Sequence, residues 1–264
     1  LTDFLQEGIR PQVSSDSCGP CQACLDVCPV VQSDFRPSDI QSQAPYSNAF
    51  TAEWGPVLGL WEGHACDPEL RFQGSSGGAL TALSAYCLEQ QGMHGVLQVG
   101  QSPTDPLRNT TRLSRSRAEL LAATGSRYSP ASVGNGLGLV EAAPAPCAII
   151  GKPAEIAAVR NARRLRSQLD QKIGVTLSFF CAETPSTHGT IALLEKSGVD
   201  PISVGDLRYR GRGWPGHFAP TLRNETEPCR QMTYRDSWAF LQAYRPWSVQ
   251  LWPDGSGELA DISC

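Results

Sequence analysis

Long apolar runs are missing from the 264 residues. No stretch approaches the roughly 18 to 20 apolar residues that a membrane-spanning helix needs. A large excess of either charge is missing too: 22 basic and 26 acidic side chains nearly cancel. This removes the electrostatic reason to expect nucleic acid or an anionic membrane as partner. The opening LTDFLQEGIRPQ lacks the basic start and apolar stretch of a secretory signal. The four histidines stand alone, with neither H-x-x-x-H nor H-E-x-x-H, so no zinc-hydrolase reading arises. The loop GSSGG at 74–78 is neither a Walker loop nor a G-x-G-x-x-G fingerprint, and internal repeats and low-complexity tracts are absent.

Cysteine, by contrast, is plentiful and unevenly placed. Four of the ten fall in SCGPCQACLDVCPV as Cys18, Cys21, Cys24 and Cys28, with Pro29 directly after the last; the other six are scattered without a pairing pattern. Without a secretory start, a reducing cytoplasm is the expected location, and clustered thiols there usually bind metal. Three cysteines at every third residue let one tight loop wrap three corners of a [4Fe–4S] cubane. Structural zinc more often uses two C-x2-C knuckles on a longer arm, and cysteines three residues apart are poor disulfide partners. The iron–sulfur reading leads, and zinc and inert thiols remain as alternatives. The fourth cysteine of such a run sometimes ligates a second cluster, which leaves the partner of Cys28 open.

Downstream, residues 31–62 read as a proline-broken connector ending in a short strand, VLGLWE. The pattern then alternates. GSSGGALTALSAYCLEQQG (74–92) reads as a small polar loop opening a helix, with Leu80, Leu83, Cys87 and Leu88 on one face and Gly92 at its end. GVLQVG (95–100), CAIIG (147–151) and KIGVTLSFFCAE (172–183) read as strands. AEIAAVRNARRLRSQL (154–169) and GTIALLEKSGV (189–199) read as helices, and WSVQLW (247–252) as a short strand. This alternation argues for an α/β fold. The RRLR run at 163–166 reads as a solvated helix face.

Several loops carry chemistry. Gly74, Ser75, Ser76, Gly77 and Gly78 precede a helix, where close backbone approach and the helix dipole suit a phosphate. A flexible turn with a serine cap explains the same residues equally well. Lys152 sits where a buried strand turns into a helix, a common ligand position in α/β proteins. A cation there holds pyrophosphate or stabilises a reduced flavin ring; an exposed turn lysine is the plain alternative. GSRYSP offers Ser126, Arg127 and Tyr128, and RYRGRGWPGHF sets Arg208, Arg210 and Arg212 among Tyr209, Trp214 and Phe218, a combination suited to a planar anion. Cys181, in FFCAETPS, reads first as a core thiol and second as a flavin contact or cluster ligand.

Taken in order, the cysteine run, GSSGGALTALSAYCLE, GSRYSP, IGKPAEIAAVR, FFCAETPSTHGTIALLEKSGVD, LRYRGRGWPG and PDGSGELADISC resemble the coenzyme F420 hydrogenase/dehydrogenase beta-subunit family, which includes the 7-hydroxymethyl chlorophyll a reductases. The resemblance implies an α/β, flavin-binding mixed-sheet domain behind a small N-terminal ferredoxin-like iron–sulfur segment, divided at residues 1–45 and 46–264. It implies one or two [4Fe–4S] clusters, FAD, and hydride exchange with coenzyme F420 or another reducible small molecule. Ser75, Ser76, Gly77, Gly78, Ser126, Arg127, Tyr128 and Lys152 become flavin-site candidates by carry-over, with Arg210, Arg212 and Trp214 near the flavin or second substrate. The family pattern often has cysteine where this chain has Ala154, and a cysteine pair where it has Val249 and Trp252. Family members also usually continue past ADIS, so a chain truncated at its C-terminus is expected.

The resulting expectation is an iron–sulfur flavoprotein oxidoreductase. It passes electrons between FAD and a cluster on Cys18, Cys21, Cys24 and Cys28, with a ferredoxin-like protein or a redox partner subunit at the other end. A purely electron-transferring subunit without its own substrate site, and a zinc-clipped binding module, are the alternatives.

Overall fold

A computed structural model describes residues 1–13, 18–32 and 57–264. The expected division at residues 45/46 and most of the connector lie outside the described residues. The chain begins with a small antiparallel hairpin, β1 (Thr2–Phe4) and β2 (Gly8–Arg10). Next come β3 (Val96–Gln101), β4 (Asn109–Ser114), β5 (Cys147–Gly151), β6 (Ile173–Ser178), β7 (Val204–Arg208), β8 (His217–Leu222), β9 (Met232–Thr233) and β10 (Ile262–Ser263).

Five of these form the main sheet, in the order β10-β6-β5-β3-β4. Its β3–β5, β5–β6 and β6–β10 pairings are parallel, and β4 runs antiparallel at the edge. All five residues of β5 are buried, which is why CAIIG is an unbroken apolar run: a central parallel strand is covered on both faces. Cys147 and Ile149 point to one side and pack with Leu97, Ile156, Val159 and Leu169. Ala148 and Ile150 point to the other and pack with Val96, Leu177, Leu70 and Ala85. Each fully buried Leu or Ile side chain contributes about 1.5–3 kcal/mol, so the two faces together fix the register of the sheet.

The helices obey the same logic. Leu80, Leu83, Cys87 and Leu88 of the helix Ala79–Glu89 all pack on the second face, and Gly92 takes a left-handed conformation (φ 63°) just beyond it. The helix Pro153–Leu165 starts on a proline and buries Ile156, Val159 and Ala162 on the first face. A smaller antiparallel sheet, β7-β8-β9, packs with the helices Thr187–Lys196 and Tyr234–Leu241 around Leu193, Leu207, Tyr209, Phe218 and Leu241.

Four expectations need correction. The strand expected at 57–62 does not form; Leu58, Leu60 and Trp61 are exposed, and a lone bridge at Val57 is its only trace. WSVQLW is a 3-10 turn over Trp247–Leu251, because alternation over so short a run does not by itself fix a strand. The helix expected over 154–169 breaks at Arg166 (φ −129°, ψ 88°); its guanidinium is paired with Glu141, and the new helix Ser167–Lys172 buries Leu169. The strand expected over 172–183 ends at Ser178, and Cys181 lies beyond the sheet, half-buried rather than in the core. The RRLR face is paired locally through Arg163–Asp170 at 2.6 Å and Arg166–Glu141, as a solvated face should be.

Candidate functional site

The glycine–serine loop connects the helix Pro68–Gln73, capped by Asp67 through the N–H groups of Glu69 and Leu70, to the helix Ala79–Glu89. Ser76, Gly77 and Gly78 all have positive φ, at 50°, 82° and 71°. The turn folds so closely onto the preceding helix that a Cβ at Gly78 would lie 2.5 Å from the Leu70 carbonyl oxygen. A second glycine loop locks against it. A Cβ at Gly211 (φ 96°) would meet the Gln73 carbonyl oxygen at 2.5 Å, and the Gly213 N–H donates to the Phe72 carbonyl at 2.9 Å. A third segment closes the junction: the Ser126 N–H donates to Ser75 Oγ at 2.9 Å.

Arg210 ties these loops together. Only 8% exposed, it donates from Nε to the Pro215 carbonyl at 3.0 Å and from Nη1 to Ser76 Oγ at 3.3 Å, and its guanidinium lies 4.2 Å over the Tyr234 ring. Tyr128 packs 4.7 Å from the Trp238 ring and 5.8 Å, edge-on, from Tyr209. Burial pushes its phenol up to about 12, partly opposed by the Arg210 guanidinium. Arg212 and Trp214 stand exposed on the rim, Trp214 by 81%.

Arg127 points elsewhere. Nε donates to Asn109 Oδ1 (2.8 Å), Nη1 to Gln101 Oε1 (2.9 Å) and the Leu207 carbonyl (2.6 Å), and Nη2 to the Pro106 (2.7 Å) and Arg108 (3.3 Å) carbonyls. A guanidinium has five N–H donors, and all five are committed to the protein.

Lys152 is also apart from the glycine loops. It caps the helix Pro153–Leu165 at the C-terminal end of β5: Glu155 Oε2 accepts from its backbone N–H at 3.0 Å, while Nζ lies 3.5 Å from Glu155 Oε1 and 3.4 Å from the Ala131 carbonyl. There it borders a cavity of about 540 Å³ at the ends of β5 and β6, walled also by the β2 hairpin, Pro130–Ser132, Cys181–Thr184 and residues 245–255. Burial raises the Cys181 thiol within this wall, with Lys152 opposing the rise. The segment from Gly125 to Ser132 runs from the glycine junction to the cavity.

The cysteine run forms a tight turn and the short helix Ala23–Asp26. Cys18, Cys21 and Cys24 are exposed and Cys28 is half-buried. The Ala23 N–H approaches Cys21 Sγ at 3.5 Å, the kind of N–H···S contact that tunes a cluster. Among the described residues, no three His, Cys, Asp or Glu side chains converge as a metal centre. The donor set itself, four soft thiolates in one compact run, suits an iron–sulfur cluster. The run is docked on the main body: Val27 packs against the core of the first face, and Asn161 Nδ2 donates to the Gln32 carbonyl at 3.5 Å. Val30, just after the last cysteine, lines the cavity.

Comparison with known proteins gives this geometry a context. The family described as coenzyme F420 hydrogenase/dehydrogenase, beta subunit, matches through its N-terminal part at residues 60–137 and its C-terminal part at 146–264. The chain belongs to this beta-subunit family. Among solved structures, a chain of the F420-reducing [NiFe] hydrogenase complex from Methanosarcina barkeri shares its fold, with a TM-score of 0.58 at 20% identity, over 75% of this chain. The match spans 66% of that chain's own length. No curated protein matches. Within the described residues, no helix is long and apolar enough to cross a membrane.

Ala154, Val249 and Trp252, the positions at which the resemblance implies cysteine in other members, all line the cavity, together with Cys181. Sequence reasoning linked these positions only as expected ligands of a second cluster, and it missed the cavity altogether. The shared signal was available only as the pattern of missing cysteines.

Proposed function

We propose that this beta-subunit family member is an iron–sulfur flavoprotein oxidoreductase of a reducing compartment, the cytoplasm. The observation that carries the reading is the glycine junction, where three loops distant in sequence are fixed around Ser75, Ser76, Ser126 and Arg210 at the start of a core helix. FAD supplies two-electron hydride exchange and a [4Fe–4S] cluster single-electron relay when bound.

The chain's own residues do the positioning. Cys18, Cys21, Cys24 and Cys28 hold the cluster in the N-terminal segment, residues 1–45, and residues 46–264 hold the flavin. Gly77 and Gly78 set the left-handed turn that would present this loop to the flavin's phosphates, and Arg210 orients the Ser76 hydroxyl. Tyr128 holds Arg210 from behind, while Arg212 and Trp214 offer a cation and a stacking face at the rim. Arg127 acts as a strut under this site. Lys152, with Glu155 Oε1 at 3.5 Å, would supply positive charge at the end of β5 to a flavin ring bound there. Coenzyme F420 or another small hydride acceptor is the substrate, and a ferredoxin-like protein or redox subunit is the partner.

Anaerobic purification with iron, sulfide and flavin analysis, followed by reduction assays with F420 and with ferredoxin, tests the reading. About four irons and about one FAD per chain are expected, with Cys21→Ser losing the cluster. Iron-free, flavin-free protein after reconstitution would overturn it. Colourless protein with stoichiometric zinc would favour a zinc-clipped module, and a flavin reduced by a partner yet inert to F420 an electron-transfer subunit.

A further inference from the structure

Many cations of the fold are neutralised where they stand: Arg108, Arg117, Arg163, Arg166 and Arg245 each meet a carboxylate. Arg127 and Arg210 meet none within ion-pair distance among the described residues. Arg127 commits all five donors to protein oxygens. Arg210, only 8% exposed, is held differently. It donates to the Pro215 carbonyl at 3.0 Å and to Ser76 Oγ at 3.3 Å, and its guanidinium carbon lies 4.2 Å from the centre of the Tyr234 ring. The difference is electrical. A carboxylate holds a guanidinium by cancelling its charge, whereas an aromatic face attracts it through a quadrupole and leaves the net charge in place.

That charge reaches the surface through a hydroxyl. Ser76 Oγ accepts from Arg210, and Ser75 Oγ accepts from the Ser126 N–H at 2.9 Å, so each serine has its own O–H left to donate. Ser76 is exposed and sits at φ 50°, a left-handed conformation that few serines take. An O–H polarised by a cation behind it is a strong donor to an anion.

Tyr234 is itself fixed. It opens the helix Tyr234–Leu241 behind Thr233, whose Oγ1 accepts from the Asp236 N–H at 3.1 Å, and Thr233 pairs with His217 of β8. The Tyr128 ring lies 6.2 Å away at a 30° tilt. The ring under Arg210 thus belongs to a strand–helix corner of the small sheet rather than to the glycine loops.

We propose that Tyr234 is a positioning residue for anion binding at the glycine junction: its ring holds the Arg210 guanidinium without neutralising it, and Arg210 aims the Ser76 O–H at the ligand. The inference deepens the functional reading, which sets the flavin's phosphates at this loop, and it rests on that reading for the identity of the anion.

FAD titrated by fluorescence quenching into the flavin-free, iron-loaded full chain tests it. Tyr234→Leu, which removes the ring, should weaken binding about five- to thirtyfold, and Tyr234→Phe should recover most of that loss. Folded Tyr234→Glu, which sets a carboxylate against the guanidinium, should bind more weakly still. In an Arg210→Gln background, Tyr234→Leu should change affinity less than about twofold, because the ring then has no cation to hold. Tyr234→Phe as weak as Tyr234→Leu, Tyr234→Glu as tight as Tyr234→Leu, or the full loss persisting beside Arg210→Gln would each overturn the proposal. If Arg210→Gln does not fold, the order of the three Tyr234 variants decides. Should the parent bind no FAD, the functional reading fails, and inorganic pyrophosphate titrated by calorimetry into the same variants decides this inference. Absence of pyrophosphate binding by the parent would then overturn it too.

Discussion

The glycine junction and the cavity are built in opposite ways. At the junction, backbone meets backbone: Gly78 on the Leu70 carbonyl and Gly211 on the Gln73 carbonyl leave no room for even a methyl group. At the cavity, side chains meet across space, and small or apolar residues such as Ala154 and Val249 leave a volume unfilled. A site made from the backbone holds its shape whatever its rim residues become, whereas a site made from side chains changes its ligand when they change. Substitutions at the junction should therefore cost stability, and substitutions in the cavity wall should alter binding.

The largest effect is expected at Arg127. Arg127→Ala strands two side-chain and three backbone acceptors under the junction and should cost about 3–5 kcal/mol in urea unfolding. Arg127→Lys should recover little of that, because an ammonium cannot reproduce the planar fork. Gly78→Ala comes next: a left-handed φ and a collision with the Leu70 carbonyl should together cost about 2–3 kcal/mol. Val249→Ala in the cavity wall is its control, expected within about 1 kcal/mol of the parent. Equal costs for the two would erase the contrast.

The smallest effect is one of pH. Tyr128 ionises near 12 in the folded chain against an ordinary value of 10.0, so above about pH 10 the unfolded chain gives up this proton first. Stability should fall as pH rises from about 10 to 12. A shallower fall in Tyr128→Phe, followed by unfolding midpoints across that range, ties the effect to the aromatic packing behind Arg210. An unchanged slope would detach Tyr128 from it.

Much of the fold was legible because its signals are local. CAIIG is buried on both faces and reads as such, and the face of Leu80, Leu83, Cys87 and Leu88 is spaced for a helix. The Gly–Ser loop could be singled out because glycines at positive φ leave a compositional trace. The small sheet was largely hidden: β7, VGDLR, carries charges on its exposed positions and looks like a loop until β8 pairs with it. Arg127 was legible as important and illegible in direction, since its acceptors come from residues 101 to 207. The cavity was out of reach, because its walls run from Leu1 to Gly255 and meet only through tertiary packing.

Arg127 carries one more consequence. A side chain gripped at five points has a single pose, so the residues on either side of it inherit fixed places: Ser126 at the glycine loops, and Ser129 and Pro130, whose carbonyls accept from Asn109, on the way to the cavity. The same Asn109 amide also accepts from Arg127. The short stretch between the two sites thus serves as a ruler, and any two rings seated at its ends would be held at a spacing set by the protein before either arrives.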